Sequence, residues 1–241
     1  MQGDPMEAAT CTAANDHPTR GNLFVPISLG NHYYSSTVLR KLIDNFIVPS
    51  NRSVIFCCDR LRLLSYLIRG EIDLEHITLN IKIQVQQLTR ALLNVGIRSC
   101  PHATIVDWSF CQEDRRFHEL LFNLKQFVRD DAMVARELSD HVNRLAHVHG
   151  RRGANTAKGD ELQFSYLTEE TALSLYMTEI RGYNVEVYRR GMGFVDYLYS
   201  QRPAELLTLT GNSILTRRFI ALEESNQPSN SAIYDSGSRS C

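Results

Sequence analysis

Short apolar runs alternate with amphipathic stretches over most of the chain. Three runs have the length and composition of buried parallel strands: residues 23–29, 53–58 and 103–108. Apolar residues recur with helical spacing over residues 35–47, 59–69, 74–95 and 117–145, the last being long enough to be broken. This alternation predicts an α/β fold with a parallel sheet flanked by helices, in which ligands bind at the carboxyl ends of the strands.

The second half of the chain continues the alternation. A helix is predicted over residues 168–177, a strand over Val185–Tyr188, a helical turn over residues 194–200 and a last strand over residues 213–222. The polar stretch of residues 147–161 separates two helical regions and is expected to form a mobile loop.

The two ends of the chain differ from its centre. Residues 1–20 and 226–241 are rich in Ser, Asn, Gly and Pro, so both are expected to be disordered tails. Residues 21–225 are then a single α/β domain. Of all 241 residues 43% are hydrophobic, which is enough for the core of such a domain.

Composition limits the classes of function. The 26 basic and 27 acidic residues give a net charge of −1 at pH 7, so any RNA contact must use a local patch. The sequence shows no membrane-spanning run and no signal-peptide core, which predicts a cytoplasmic protein. The six cysteines form no Cys-x-x-Cys pair, and Cys57 and Cys58 lie in a predicted strand, as expected of reduced core thiols.

One serine lies inside an apolar segment. In FVPISLGNHYYSS, Ser28 ends the first predicted strand before a glycine turn, where a serine is either a satisfied core residue or a nucleophile. The chain lacks the GxGxxG and Walker patterns of nucleotide-binding loops and the GxSxG elbow of α/β-hydrolases. His147 and His149 have a spacing seen in metal sites, but their polar surroundings favour solvated side chains, so no metal is predicted.

Three segments resemble the active-site motifs of the cyclodipeptide synthases. PISLGNHYYS resembles the nucleophile motif and places Ser28 in that role. YLTEETALSL resembles the segment with a tyrosine and a glutamate, here Tyr166 and Glu170, and VEVYRR resembles the strand with a further active-site tyrosine, here Tyr188. The order and approximate spacing of the three segments agree with the family over most of the folded region.

The resemblance implies a Rossmann-like catalytic domain similar to that of the class I tyrosyl- and tryptophanyl-tRNA synthetases. It also implies ping-pong chemistry, in which Ser28 takes an aminoacyl group from one aminoacyl-tRNA and its amine attacks a second. The dipeptide then cyclises to a diketopiperazine. No cofactor is required, the partners are two aminoacyl-tRNAs, and downstream tailoring enzymes are further candidate partners.

The same resemblance implies a substrate pocket beside the nucleophile. Its residues would be Phe24, Pro26, Gly30, Asn31, Leu173 and Glu186. Pro26 stands where the family usually has glycine, and Ala172 where it usually has proline. These departures bear on the shape of the pocket rather than on the nucleophile.

Tyr166 and Glu170 suit the chemistry of an amine. A carboxylate and a phenol can hold an ammonium group by charge-assisted hydrogen bonds, and can later accept its proton. Being four residues apart, the two share one face if Tyr166 already lies on the helix, although such a pair is usually a surface feature. Tyr188, otherwise a core residue, is the candidate proton relay during cyclisation. Asn31 and the turn after Ser28 are expected to position the ester carbonyl.

Glu186 is predicted to share a strand face with Tyr188, in the pocket for the first aminoacyl side chain. A buried carboxylate needs a partner. Arg189 or Arg190 can neutralise Glu186 internally; otherwise the partner is the substrate, and an arginine side chain fits best. In that second alternative the first substrate is arginyl-tRNA, as in the arginine-specific branch reported among fungi.

Positive charge for tRNA binding is sparse. Residues 80–100 include no acidic residue, and Lys82, Arg90 and Arg98 recur every eight positions, so these three are the predicted tRNA contacts. A solvated helix face explains any one of them equally well. Further basic candidates are Arg115, Arg116, Arg151 and Arg152.

Two other classes of function stay open. The chain can be a synthetase-like RNA-binding module without catalysis, although the complete set Ser28, Tyr166, Glu170 and Tyr188 argues against this alternative. It can also be a serine acyltransferase or hydrolase acting on a small ester, although the sequence shows no histidine placed as a general base.

Overall fold

The structure, a computed structural model, describes residues 21–148, 157–189 and 193–222. Within these ranges five parallel strands form one sheet in the order β3-β2-β1-β4-β5. The strands are β1 (Asn22–Ile27), β2 (Arg52–Cys57), β3 (Ala103–Val106), β4 (Val185–Tyr188) and β5 (Arg218–Ala221). Chain order reverses between β1 and β4, and in such sheets the ligand crevice lies at the carboxyl ends of these two strands.

Nine α-helices accompany the sheet in the described ranges. They are α1 (Ser36–Leu42), α2 (Asp59–Ile68), α3 (Leu74–Asn94), α4 (Ser109–Gln112), α5 (Arg115–Asp130), α6 (Ala132–Val148), α7 (Ala157–Leu175), α8 (Phe194–Gln201) and α9 (Pro203–Thr210). The predicted α/β fold with helices on both faces of a parallel sheet is therefore confirmed. In the described residues no helix is both long and apolar enough to cross a membrane.

Alternation along β1 divides the core into two layers. Leu23, Val25 and Ile27 pack on one face with residues of α1 and α3. Phe24 packs on the other face with residues of α5, α7 and α8. Successive side chains of a strand point to opposite faces, so Pro26 and Ser28 follow Phe24 toward α7. On β4 the same rule sends Glu186 and Tyr188 to the α7 side, because Val185 and Val187 belong to the other layer.

The region predicted as one broken helix over residues 117–145 breaks at Asp131. Asp131 has extended backbone angles (φ −95°, ψ 105°), and its carboxylate accepts hydrogen bonds from the backbone of Met133 and Val134. A side chain that satisfies the first amide groups of a helix favours a new start at that point. Asp131 thus ends α5 and begins α6.

Several predicted boundaries were wrong. The polar stretch of residues 147–161 is helical at both ends, because α6 extends to Val148 and α7 begins at Ala157, well before residue 168. The last strand begins at Arg218, and α9, which starts at Pro203, lies just before it. The middle of the polar stretch, residues 149–156, and both predicted tails lie outside the described residues.

The three predicted tRNA contacts, Lys82, Arg90 and Arg98, do not all lie on one helix. Helix α3 ends at Asn94, and Gly96 turns the chain with a left-handed φ of 103°. Arg98 lies in the short 3-10 turn Ile97–Ser99 that follows. Lys82 and Arg90 are exposed on α3 and Arg98 is exposed after it, so the three side chains share no helical face.

Candidate active site

The predicted nucleophile and one predicted tyrosine meet at the carboxyl edge of the sheet. Ser28 is the first residue after β1 and Tyr188 is the last of β4, which pairs directly with β1. The Ser28 Oγ and the Tyr188 phenol oxygen are 2.5 Å apart, a short hydrogen bond. The crevice expected from the strand order is therefore lined by a hydroxyl and a phenol in direct contact.

A tight turn after Ser28 opens the crevice. Gly30 is exposed and has a φ of 68°, a left-handed value that favours glycine. The side-chain oxygen of Asn31 accepts a hydrogen bond from the backbone of Tyr33 at 3.0 Å. Asn31 thus shapes the turn, while its predicted contact with an ester carbonyl stays a prediction.

Helix α7 brings the predicted amine-binding pair to the same crevice. Tyr166 and Glu170 both lie on α7, one helical turn apart. The negative charge of Glu170 is the main cause that raises the pKa of Tyr166 well above its usual range, followed by burial. Leu173 and Ser174, the next residues on that face, line a cavity together with Glu170. The sequence motif on α7 therefore faces the nucleophile rather than solvent.

The cavity is small, with a volume of about 10 Å³, the room needed by one water molecule. Its lining residues are Phe24, Pro26, Cys58, Leu61, Glu170, Leu173, Ser174, Glu186 and Tyr188. Four of the six predicted pocket residues belong to this lining. Gly30 and Asn31 lie instead in the turn after β1. The sequence analysis did not predict Cys58, Leu61 and Ser174 as lining residues. They are small or apolar and belong to no recognisable motif.

The carboxyl group of Glu170 and the phenol of Tyr188 differ in their protonation at neutral pH. Burial, with the nearby charge of Glu186 as a second cause, raises the pKa of Glu170 from 4.5 to about 7. Burial is also the main cause that raises the pKa of Tyr188 well above 10. At neutral pH the Tyr188 phenol thus keeps its proton, whereas Glu170 exchanges its proton in the neutral range. The arrangement offers a hydroxyl nucleophile, a phenol hydrogen-bonded to it and a carboxyl group poised for proton transfer.

The raised pKa of Glu170 predicts a pH-dependent stability difference. A carboxyl group whose pKa rises on folding favours the folded state below its unfolded pKa of 4.5, and this contribution is lost as pH rises through 7. At pH 8.5 the Glu170→Gln protein should therefore be more stable than the wild type, by up to roughly 3 kcal/mol. At pH 4.5 the difference should largely vanish. Urea unfolding at both pH values measures this, and equal differences at both would contradict the assignment.

Glu186 is fully buried and has a partner that the sequence did not suggest. Arg217 Nε donates to Glu186 Oε2 at 2.6 Å, and Ser174 Oγ donates to the same oxygen at 2.8 Å. The Arg217 side chain is only 4% exposed, and its Nη1 donates to Asp196 at 2.9 Å. The carboxylate is thus held at one oxygen, while Glu186 Oε1 is buried and has no hydrogen-bond partner in the part of the chain that the structure describes.

Glu186 has an internal partner, as one alternative predicted, but this partner is Arg217 and not Arg189. The Arg189 guanidinium lies over the Tyr33 ring, 4.8 Å from its centre, and Arg190 lies outside the described residues. Arg217 immediately precedes β5, where Arg218 pairs with Val185 and Phe219 with Glu186. The pairing of β4 with β5 brings Arg217 to Glu186 from 31 residues away, a contact without a local sequence signal.

The described residues contain no recognisable metal-binding site. No group of three or more His, Cys, Asp or Glu side chains there is placed to hold a metal ion. His149 lies outside these ranges. The thiol of Cys58 lines the cavity, but burial raises its pKa well above 9, so it stays a neutral thiol.

No protein-family model and no curated protein matches the chain. Solved structures do. A Mycobacterium tuberculosis protein, solved to show that cyclodipeptide synthetases are related to type I tRNA synthetases, matches with a TM-score of 0.64 and 21% identity, over 77% of this chain and 80% of its own. This chain has the cyclodipeptide synthase fold.

Two further structures agree with that fold. A cyclodipeptide synthase from Fluoribacter dumoffii matches with a TM-score of 0.64 and 15% identity, over 83% of this chain and 88% of its own. AlbC, a cyclodipeptide synthase from Streptomyces noursei, matches with a TM-score of 0.63 and 17% identity, over 86% and 97%. The predicted relation of the fold to class I tRNA synthetases is confirmed. At sequence identities this low, the similarity shows the fold alone.

Proposed function

We propose that the protein is a cyclodipeptide synthase that joins the aminoacyl groups of two aminoacyl-tRNAs into a diketopiperazine. The observation that carries the proposal is the contact of Ser28 Oγ with the Tyr188 phenol, 2.5 Å apart at the carboxyl edge of the sheet. Tyr166 and Glu170 stand beside this contact on α7, and the surrounding fold is that of the cyclodipeptide synthases. Because aminoacyl-tRNAs are cytoplasmic, the proposed site of action is the cytoplasm.

The first step is a transesterification. Ser28 Oγ attacks the carbonyl carbon of the first aminoacyl ester, the bond to the ribose oxygen breaks, and the proton of Ser28 ends on that oxygen. The protonated Tyr188 phenol stays hydrogen-bonded at Ser28 and orients it. The product is an aminoacyl ester of Ser28 and a free tRNA.

The second and third steps form two amide bonds. Glu170, with its pKa of about 7, accepts the proton of the ammonium group, and the free amine attacks the ester of the second aminoacyl-tRNA. The bond to the ribose oxygen of this tRNA breaks, the proton that the amine loses in the attack ends on that oxygen, and the second tRNA leaves. Glu170 releases its own proton to solvent. The dipeptide stays on Ser28 while its new terminal amine attacks the serine ester. This attack closes the six-membered ring and returns the proton to Ser28 Oγ.

The first side chain is proposed to be that of arginine. Glu186 and Arg217 form a buried pair of opposite charges, and Asp196, whose side chain is 39% exposed, adds a further carboxylate at Arg217 Nη1. Glu186 Oε1 is a buried acceptor without a partner among the described residues, and Glu186 lines the cavity. A guanidinium group of the substrate supplies the donor that this oxygen lacks.

Changing the charge of the network should change the products. A single Glu186→Leu replacement leaves Arg217 without a partner at Nε, and an uncompensated buried charge destabilises a fold. The informative protein therefore combines Glu186→Leu with Arg217→Met, because replacing both members of a buried pair by apolar residues is often neutral. We expect this double variant to lose arginine incorporation by at least about tenfold and to accept apolar amino acids.

Mass spectrometry of the products measures this shift. Arg189→Met, which removes a cation outside the network, is the matched control and should keep the wild-type product profile. Wild-type products without arginine, or unchanged arginine use in the double variant, would reject the arginine assignment and leave the general proposal intact.

Expression in a bacterium, followed by mass spectrometry for diketopiperazines, tests the function itself. A cyclodipeptide synthase yields cyclic dipeptides that are absent from the empty-vector culture. An RNA-binding module yields none, and a hydrolase or acyltransferase instead converts small esters without making cyclic dipeptides. Either of these results would overturn the proposal.

A further inference from the structure

A polar cluster lies beside the turn that follows the nucleophile. It consists of Arg62 and Tyr66 on α2 and Gln84 on α3. Arg62 Nη2 and Gln84 Nε2 both donate to the Tyr66 hydroxyl, at 3.2 and 2.9 Å. The cluster touches Gly30, where an added Cβ would lie 2.6 Å from Arg62 Nη2 and 3.0 Å from Gln84 Oε1. Gly30 therefore allows the backbone of the turn to approach these side chains.

The cluster has hydrogen-bonding capacity that the protein does not use. Arg62 Nε, a donor, and Gln84 Oε1, an acceptor, are both buried and have no hydrogen-bond partner among the described residues. Unsatisfied buried polar atoms are rare in native structures, because each costs on the order of 1–3 kcal/mol. An unpaired donor and an unpaired acceptor in one cluster suit a ligand that offers an acceptor and a donor.

The charge of Arg62 is also uncompensated. Two arginines stack on the Tyr66 ring, Arg62 at 4.5 Å and Arg69 at 4.7 Å from its centre. Arg69 has a carboxylate partner, Glu71, at 3.6 Å. Within the described part of the chain Arg62 has none, although it is the less exposed of the two. A guanidinium fixed on an aromatic ring without an internal counter-ion is a favourable site for an anion.

The position of the cluster identifies the anion. Gly30 is two residues from Ser28, and the positive charge of Arg62 acts on Tyr166 in the candidate active site. In the proposed function, on which this inference rests, the ester at Ser28 is carried by the last nucleotide of tRNA. The anion nearest that ester is the phosphate of the same nucleotide, and its ribose supplies a hydroxyl donor.

We propose that Arg62 binds the phosphate of the terminal nucleotide of the aminoacyl-tRNA and that Gln84 Oε1 accepts a hydrogen bond from its ribose. The pair forms a nucleotide subsite that positions the ester at Ser28. This subsite is separate from Lys82, Arg90 and Arg98, which are exposed on α3 and on the turn after it.

The test is a binding cycle that needs no catalysis. Two RNA hairpins are compared, one that ends in the single-stranded CCA of tRNA and one shortened by its last nucleotide. Fluorescence anisotropy gives the affinity of the wild type, Arg62→Gln, Arg62→Lys and the matched control Arg69→Gln. For the wild type and the control, shortening the RNA should weaken binding about tenfold, the value of about one charge-assisted hydrogen bond. For Arg62→Gln, both hairpins should bind more weakly than they bind the wild type, and shortening should cost clearly less than tenfold, because only the Gln84 contact to the terminal nucleotide is left.

Salt dependence gives a second readout that a purely structural role would not change. With the full hairpin, the slope of log affinity against log salt should be smaller by about 0.7 for Arg62→Gln, as expected when one phosphate contact on a single strand is lost. Arg62→Lys keeps the charge and should keep the wild-type slope, with folding checked by thermal melting.

The outcomes separate this inference from the proposed function. If shortening the RNA costs Arg62→Gln as much as the wild type, or if the wild type does not distinguish the hairpins, the subsite is overturned even when cyclic dipeptides form. If the cycle behaves as expected but no cyclic dipeptide forms, the subsite stands and the proposed activity falls.

Discussion

Replacing Ser28 by alanine is expected to reduce cyclodipeptide formation below detection. The hydroxyl is the group that carries the aminoacyl ester in the proposed mechanism, and the Tyr188 phenol 2.5 Å away cannot replace it, since burial holds the pKa of that phenol well above 10. Labelled aminoacyl-tRNA should leave radioactivity on the wild-type protein and none on Ser28→Ala. Filter binding after acid precipitation measures both.

The matched control for this experiment is Ser36→Ala. Ser36 is exposed on α1, eight residues from the nucleophile, so its hydroxyl should not affect labelling or product formation. Wild-type yield from Ser28→Ala would remove the basis of the mechanism. Loss of labelling in both variants would instead indicate that substitutions between β1 and α1 disturb the folding of this part of the chain.

Replacing Glu170 by glutamine should lower the rate of dipeptide formation by at least about 10²-fold, the usual cost of a lost acid or base group. Glutamine keeps the shape of the side chain but can neither pair with an ammonium group as a charge nor accept its proton. Because the same replacement should make the fold more stable above pH 7, unfolding cannot explain the loss. Single-turnover reactions from the preformed aminoacyl-enzyme isolate this step.

The role proposed for Glu170 also predicts the direction in which the reaction rate changes with pH. The carboxylate is the active form and burial raises its pKa to about 7, so the wild-type rate should increase with pH through this value and then level off. In Glu170→Gln this limb should be absent. Glu161→Gln, on the exposed start of α7 and paired with Arg129, should behave as the wild type. A variant that keeps the rate within about twofold would show that Glu170 is structural.

The first three strands could be predicted because each is a short apolar run, and Val185–Tyr188 was predicted with the bounds of β4, whereas the start of the last strand was wrong. The same alternation correctly predicted that Glu186 and Tyr188 share a face. The start of α7 could not be predicted, since the sequence GANTAKGDE around it is polar and contains glycine, which disfavours helix. Packing of α7 against α2 and α5 outweighs that local preference.

The partner of Glu186 could not be predicted from the residues near it in sequence. Arg189 and Arg190 follow Glu186 closely in sequence and were the natural candidates. Arg217 reaches it instead through the parallel pairing of β4 with β5, and strand pairing depends on the whole fold rather than on neighbouring residues. Motif residues on one element were therefore predictable, while contacts between distant elements were not.

The volume of the cavity beside Ser28 bears on the lifetime of the proposed intermediate. The cavity admits roughly one water molecule, and an aminoacyl group is many times larger than a water molecule, so the lining must part before a substrate enters. Once seated, the acyl group fills the space that water would need for an attack on the serine ester. Hydrolysis is then disfavoured by exclusion, and the aminoacyl-enzyme can outlast the interval between the departure of one tRNA and the arrival of the next.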